Sequence, residues 1–492
     1  MNRRSLPPFA VLAMAAVLLL PAPAATAQRR KPPAPAPTPT PAPLVKSRAD
    51  LVVVAGAVLT VDPAFRILGE SAIIIQDGYI VEITSPAEAD SKWTAAERIE
   101  RKGSVVLPGL VNTHTHAAMT LMRGISDDKP LMEWLEKSIF PAERRNVSPE
   151  FVQAGTTLAC MEMVRGGTTT FADMYYYESD AATAVEACGM RAVLGETWLD
   201  VPAPGHATLE EAQKVTRAFL TKWRGNRRIT PAVAPHAVYT AGKETLLAAK
   251  RLADEFSAPL LIHVSETQDE QKQVQAKYGT TPVRWLDQIG FLGPRVVVAH
   301  GVWLDAGDLT LLAAKKVSLS HNPESNMKLG SGVAPVMAAR KAGVVTALGT
   351  DGPAGSNNDL DMWEAMDFAG KLAKVTALDP TVLPARDLLR MATIEGAKAL
   401  GLDRVTGSIE PGKAADLIAV DLAEPRLRPV YDIVGTLVYA AKESDVSLTV
   451  VDGKVLWDGR KWPTIDGNAA VKVAADWREK IQKSLKDAPP AR

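Results

Sequence analysis

Residues 107–118 read LPGLVNTHTHAA, an apolar run that ends in two imidazoles one residue apart. A strand over Val105–Asn112 alternates its side chains between faces, so His114 and His116 leave its end on the same side. Two converging neutral imidazoles supply two of the three protein ligands typical of a catalytic zinc site. Alone, the tripeptide carries little, since short HxH patterns arise by chance.

Downstream, the same strand-like signature recurs. Counting Val105–Asn112, there are eight short apolar runs, the others being Thr169–Met174, Ala192–Glu196, Ile229–Pro235, Pro259–Val264, Val296–Ala299, Val317–Ser320 and Val344–Thr350. Segments of helical composition separate them, such as Pro149–Arg165 and Glu244–Phe256. Alternating β and α units predict a parallel sheet, and eight of them predict a (β/α)8 TIM barrel in the α/β class. His114, His116, His236, His263, His300 and His321 all fall at the C-terminal ends of these runs, six of the chain's seven histidines, and Asp351 closes the eighth run. Barrel enzymes place their chemistry at that end, and a structural histidine has no reason to prefer it. His206 lies in a Pro/Gly-rich loop and takes no role.

The barrel is expected over residues 107–411. Strand patterns before and after it lack intervening helices: 51–62, 71–83 with a turn at Asp77-Gly78, Ala415–Val420, Leu448–Val451, and Lys454–Trp457 after a turn at Asp452-Gly453. They predict an antiparallel, composite β-sandwich from both ends of the chain, residues 49–106 and 412–465, with a helical tail over 466–492. The N-terminus reads as a secretory signal over 1–27: Arg3 and Arg4, the apolar Phe9–Leu20, and the A-x-A site Ala25-Thr26-Ala27. A Pro/Ala-rich linker over 28–48 follows. A secreted or periplasmic product is expected, with no stable membrane span after cleavage, because the apolar run is too short to cross a bilayer.

The 492 residues carry 56 Lys+Arg and 56 Asp+Glu. That balance gives no support to a nucleic-acid or membrane-surface partner, and leaves a small-molecule substrate open. Cys160 and Cys188 cannot form a disulfide framework or a thiolate zinc site, and read as apolar filler in helices.

With His114 and His116 as ligands, the third should be an imidazole from another strand and the fourth a carboxylate; His263 and Asp351 are the best placed. One divalent ion is expected, zinc first, with Fe2+ or Mn2+ acceptable to the same donors. Zinc lowers the pKa of its water to about 7. Asp351 could both ligate and take a proton from that water. Glu266, three residues beyond His263, suits a proton shuttle or is a solvated loop carboxylate. His300 could orient the water or donate to an anionic centre, and His321 has the weakest case. The fourth run, Ile229–Pro235, holds no lysine that could bridge a second metal.

The motifs 108–124 PGLVNTHTHAAMTLMRG, 132–143 MEWLEKSIFPAE, 167–175 GTTTFADMY, 263–266 HVSE, 299–304 AHGVWL, 320–332 SHNPESNMKLGSG, 348–358 LGTDGPAGSNN and 407–421 GSIEPGKAADLIAVD together resemble the amidohydrolase superfamily. The resemblance covers residues 51–465, and within the superfamily is greatest to the 5′-methylthioadenosine/S-adenosylhomocysteine deaminases and their chlorohydrolase-like relatives. It implies one metal held by His114, His116, His263 and Asp351, with Glu266 as proton shuttle and His300 as a hydrogen-bonding residue at the metal site. It further implies that Glu143 binds ribose hydroxyls and His236 contacts the purine. The implied reaction is attack of metal-activated water on C6 of adenine, with loss of ammonia. Relatives are often homo-oligomers.

The chain departs from the pattern at its third strand. No arginine lies between Arg191 and Arg217, where some members bind an amino-acid carboxylate, and Glu196 would repel one if it faced the pocket. A neutral 5′ group, as in 5′-methylthioadenosine or adenosine, is therefore expected over S-adenosylhomocysteine. Hydrolysis of another ring C–N bond, of guanine, pterin or triazine type, is the alternative. A non-catalytic binding protein is a third reading, which the full donor set and Glu266 oppose.

Overall fold

The computed structural model describes residues 46–486. The signal segment and nearly all of the linker lie outside the described residues, as does the end of the tail beyond Lys486. Eight parallel strands form one sheet in strict sequence order: β1 (Leu110–Thr115), β2 (Thr168–Tyr175), β3 (Arg191–Trp198), β4 (Ile229–Pro235), β5 (Leu260–Val264), β6 (Val296–His300), β7 (Ser318–His321) and β8 (Val345–Leu348). Their residues are almost all buried, as in a sheet covered on both faces. Helices such as Leu209–Trp223 and Lys243–Phe256 pack their apolar faces onto it. The predicted helix Pro149–Arg165 is present with those bounds. Ser148 caps it, its Oγ accepting from Phe151 N at 3.2 Å, and Pro149 takes the first turn, where no amide is needed.

Polar side chains close the barrel between β8 and β1. Asn112 Nδ2 donates to Thr350 Oγ1 (2.8 Å) and Asn112 Oδ1 accepts from Thr350 N (3.1 Å). Thr113 Oγ1 donates to the Leu348 carbonyl at 2.8 Å, and Asp351 N to the His114 carbonyl at 3.0 Å. The middle of the opening motif thus ties Asp351 to the strand that carries His114.

The run Val105–Asn112, read as a single strand, is two. Trp93–Pro108 belongs to a second sheet, where its end pairs with Leu417–Asp421; the barrel strand starts at Leu110. Pro108 has no amide to continue a ladder. Gly109 passes so close to Thr169 that a Cβ would lie 2.1 Å from it. The chain changes sheets at this pair.

The second sheet joins both ends of the chain in the order Lys454–Trp457, Val446–Val451, Leu417–Asp421, Trp93–Pro108, Ser47–Leu59, Ser71–Gln76, Tyr79–Thr84. It is not wholly antiparallel: Ser47–Leu59 and Trp93–Pro108 run parallel, joined through strands and the helix Pro86–Lys92. Alternation sorts its residues, with Leu51, Val53, Ile73 and Ile75 in one apolar cluster and Val52, Val54, Ala72 and Ile74 in another. Arg191, at the start of β3, ties the barrel to this sheet, donating to both carboxylate oxygens of Asp416 (2.7 and 3.2 Å) and to the Arg227 carbonyl. The C-terminal helix Gly467–Lys486 lays Trp477 edge-on against Phe151. Among the described residues, no helix is long and apolar enough to cross a membrane.

Candidate metal centre and active site

His114 lies within β1 and His116 just after it, and both turn towards Asp351 at the end of β8. Asp351 Oδ1 is 3.3 Å from His114 Nε2 and 3.2 Å from His116 Nε2. His263, in β5, brings its Nε2 to 3.3 Å from that of His116. The other ring nitrogens are committed: His116 Nδ1 donates to the Met174 carbonyl (2.6 Å), and His263 Nδ1 to the His236 carbonyl (2.7 Å). With their protons on Nδ1, two Nε2 lone pairs face each other at 3.3 Å, an arrangement that calls for a cation between them. His114 Nε2 is buried without a hydrogen-bond partner among the described residues. These donors fit a transition-metal ion such as zinc.

Burial drives His114 down to about 4 and His263 well below its usual range, the neutral state that ligation requires. Burial also opposes charge on His116, but the hydrogen bond and charge of Asp351 outweigh it and raise the ring to about 9. The pair demands one positive charge, which a metal ion supplies in place of a proton.

His300 closes β6. Its Nδ1 donates to Asn326 Oδ1 (3.0 Å), leaving Nε2 to face Glu266 Oε2 at 3.9 Å and Asp351 Oδ2 at 3.8 Å. Glu266 follows β5, and burial raises its pKa. Ser265, His300 and Asp351 all have positive φ, of 57°, 72° and 68°. Non-glycine residues held there concentrate at functional sites.

One cavity joins this centre to the remaining candidates: its wall includes His116, His263, Glu266, His300, Asp351, Glu143 and His236. His236 follows β4 and bonds Thr240 Oγ1 through Nδ1 (2.8 Å). Glu143 sits in the helix Phe140–Asn146, reached through a π-helical turn over Leu135–Ile139 whose ends also line the cavity; such turns recur at functional sites. Burial lifts Glu143 to about 7, against the opposing pull of the Tyr175 hydroxyl beside it. The rest of the wall is mostly apolar or aromatic, including Met119, Trp134, Phe140 and Tyr176, and among the described residues holds no lysine or arginine.

Three residues weighed in the sequence lie away from this cavity wall. Glu196 does not line this cavity; its two oxygens accept from the amides of Tyr177 and Glu178 at 3.1 and 2.8 Å. His321 is also absent from the cavity wall, and lines a separate apolar hollow between the helices Val336–Ala342 and Met362–Ala377. His206 anchors its own loop through the Thr197 carbonyl (2.8 Å).

Several supporting residues escaped sequence reading. Asp173, ending β2, accepts from Ala117 N at 2.7 Å and Thr115 Oγ1 at 2.9 Å, pinning the turn that carries His116. Glu270 accepts from Glu266 N (2.8 Å), and Ser325 Oγ donates to Asp351 Oδ2 (2.6 Å). The GTTTFADMY and SHNPESNMK motifs contain Asp173, Ser325 and Asn326, but only the fold reveals what they hold.

Residues 105–456 match the Amidohydrolase family. The chain belongs to that family. It is 47% identical over 420 residues to a 5-methylthioadenosine/S-adenosylhomocysteine deaminase of Syntrophobacter fumaroxidans, covering 85% of this chain and 95% of that one. It is 46% identical over 437 residues to a 5′-deoxyadenosine deaminase of Methanosarcina acetivorans, 88% of this chain and 98% of the other. Among solved structures, a zinc-bound adenosine deaminase from Xanthomonas campestris superposes with a TM-score of 0.87 at 38% identity, covering 89% of this amidohydrolase and 100% of the other chain.

Proposed function

We propose that this amidohydrolase is a zinc-dependent deaminase of adenine nucleosides bearing a neutral 5′ group, such as 5′-methylthioadenosine, 5′-deoxyadenosine or adenosine. The observation that carries the reading is the shared cavity: Glu143 and His236 open onto the same space as the three-imidazole, one-carboxylate centre. The names and identities of the relatives agree with it.

His114, His116, His263 and Asp351 would hold the ion, which acidifies water and polarises the reacting carbon's substituents. Glu143, buried beside Tyr175, binds the ribose hydroxyls, and His236 sets the purine edge against the centre. Glu266 carries protons between the attacking water and the ring and leaving nitrogens; its raised pKa keeps it able to hold a proton. His300, fixed by Asn326, orients the water from the side facing Asp351. The apolar wall accepts a methylthio or methyl group, and the lack of a wall lysine or arginine disfavours the zwitterionic tail of S-adenosylhomocysteine. Glu196 adds nothing to that preference, because it is bonded to backbone amides outside the cavity.

The test is ammonia release by the metal-replete enzyme across adenosine, 5′-methylthioadenosine, 5′-deoxyadenosine and S-adenosylhomocysteine, with guanine beside them. Turnover of the first three above S-adenosylhomocysteine is expected; turnover of guanine alone would replace this reading with another ring C–N hydrolase. We also infer export, from the basic, apolar and A-x-A sequence of residues 1–27. N-terminal sequencing of the protein from its native host should find a start near residue 28, and a start at Met1 would reject cleavage.

A further inference from the structure

A second group of acids lies where the loop after β8 meets the helix after β7. Glu324 on the helix Pro323–Lys328, Asp359 in the loop and Glu364 in the helix Met362–Ala377 each bring a carboxylate oxygen within 4.8 Å of the other two. None of them lines the active-site cavity. Glu324 is only 7% exposed. One of its oxygens accepts from Asn357 Nδ2 at 3.0 Å, while Oε1 is buried with no partner among the described residues. An unpaired buried carboxylate oxygen is costly. Lys328, on the same helix, does not relieve it, since its ammonium bonds Asp127 (2.6 Å) and the Gly355 carbonyl (2.7 Å). Burial first, then the charges of Asp359, Glu364 and Asp361, hold the Glu324 carboxyl well above its ordinary range.

Converging carboxylates with no imidazole or thiolate form an all-oxygen donor set, which suits a hard cation rather than zinc. We propose that Glu324, Asp359 and Glu364 bind a hard divalent cation, calcium or magnesium, at a site separate from the imidazole centre. Its place in the fold gives it a positioning role. Ser325, next to Glu324, holds Asp351 Oδ2, and Asn326 holds His300. Asn357, which bonds Glu324, also donates to the Thr350 carbonyl beside Asp351. A cation here clamps the loop that carries Asp351 onto the helix that steadies Asp351 and His300.

The experiment is thermal unfolding of the zinc-loaded full chain titrated with calcium chloride, then with magnesium chloride, at ionic strength matched with potassium chloride. For a domain of this size, a ligand at a hundred times its Kd raises Tm by about 3 °C. A saturable rise of that order with either ion is expected, without change in bound zinc. The double substitution Asp359→Asn with Glu364→Gln, made at half-buried positions that leave Glu324 in place, should keep the native circular dichroism and abolish the rise. No saturable rise with either ion, or the same rise in the double variant, would overturn the site. Thermal shift does not depend on turnover, so the outcome is independent of which substrate the enzyme takes.

Discussion

The two ends of the barrel are built from the same material and do opposite things with it. At the N-terminal end, Arg191 is 2% exposed and bonds Asp416 through two nitrogens, while Asp416 Oδ1 also accepts from Asp452 N. Arg227 adds its guanidinium to Asp452 at 2.7 Å. Each charge there has its opposite and most hydrogen bonds are made. At the C-terminal end, His114, His263 and Asp351 are about as deep and His116 somewhat less so, yet their free atoms point at one another and at a cavity. Satisfied charge joins the barrel to its companion sheet; at the other end the Asp351 carboxylate and the imidazole nitrogens converge beside the cavity. This division matches the general asymmetry of such barrels, stability below and chemistry above.

Four substitutions test that contrast, from the largest effect to the smallest. Glu266→Gln at the upper end should lower kcat by about 10²–10⁴-fold, as expected for loss of a general acid–base. Bound metal and Tm should be unchanged, by elemental analysis and calorimetry; a kcat within threefold of wild type, on the order of experimental scatter, would remove Glu266 from the proton path. At the lower end, Arg191→Met leaves Asp416 buried without its partner and should cost about 3–5 kcal/mol of stability. Its urea unfolding midpoint should fall while kcat per folded molecule holds. A matching loss of kcat would erase the distinction between the ends.

Glu143→Gln keeps shape and, with Glu143 on the ribose as proposed, weakens its hydrogen bonds to substrate, for a drop in kcat/KM of about ten- to a hundredfold, carried mainly by KM. Unchanged kinetics on every nucleoside would favour a substrate without ribose. The smallest effect concerns Glu196, whose pKa burial raises from 4.5 to about 7 against the amides of Tyr177 and Glu178. The folded chain holds this proton more tightly than the unfolded one. Its contribution to stability is therefore complete below the unfolded value and lost as pH rises through about 7. Unfolding free energy should decline between about pH 5 and pH 8 more steeply in wild type than in Glu196→Gln; equal slopes would show that Glu196 is ionised throughout.

The upper end was far more legible in the sequence than the lower. Eight apolar runs alternating with helical segments predict the barrel, and histidines are scarce in this chain, so their recurrence at the ends of those runs stands out and marks His114, His116, His263 and His300, with Asp351, as candidates. The lower network could not be read, because Arg191, Asp416 and Asp452 are ordinary charged residues until the fold brings positions 225 apart within 2.7 Å. The same holds for Asp173 and Glu270, which act by accepting backbone amides, a role with no pattern in sequence. The split at Pro108-Gly109 was hidden for a different reason. Both halves are apolar and extended, and only the sheet each joins distinguishes them. Glu196 shows the converse, a charge near the end of a strand whose facing the sequence left open and whose oxygens are turned to amides.

The central claim is that one metal ion, held by residues from β1, β5 and the end of β8, makes this chain a nucleoside deaminase. Its most direct test is to strip the purified enzyme with a chelator and titrate zinc back while measuring ammonia release from 5′-methylthioadenosine. Activity should rise in proportion to bound zinc and level off at one equivalent per chain. A plateau at two equivalents, or no activity at any zinc loading with any adenosine derivative, would contradict it.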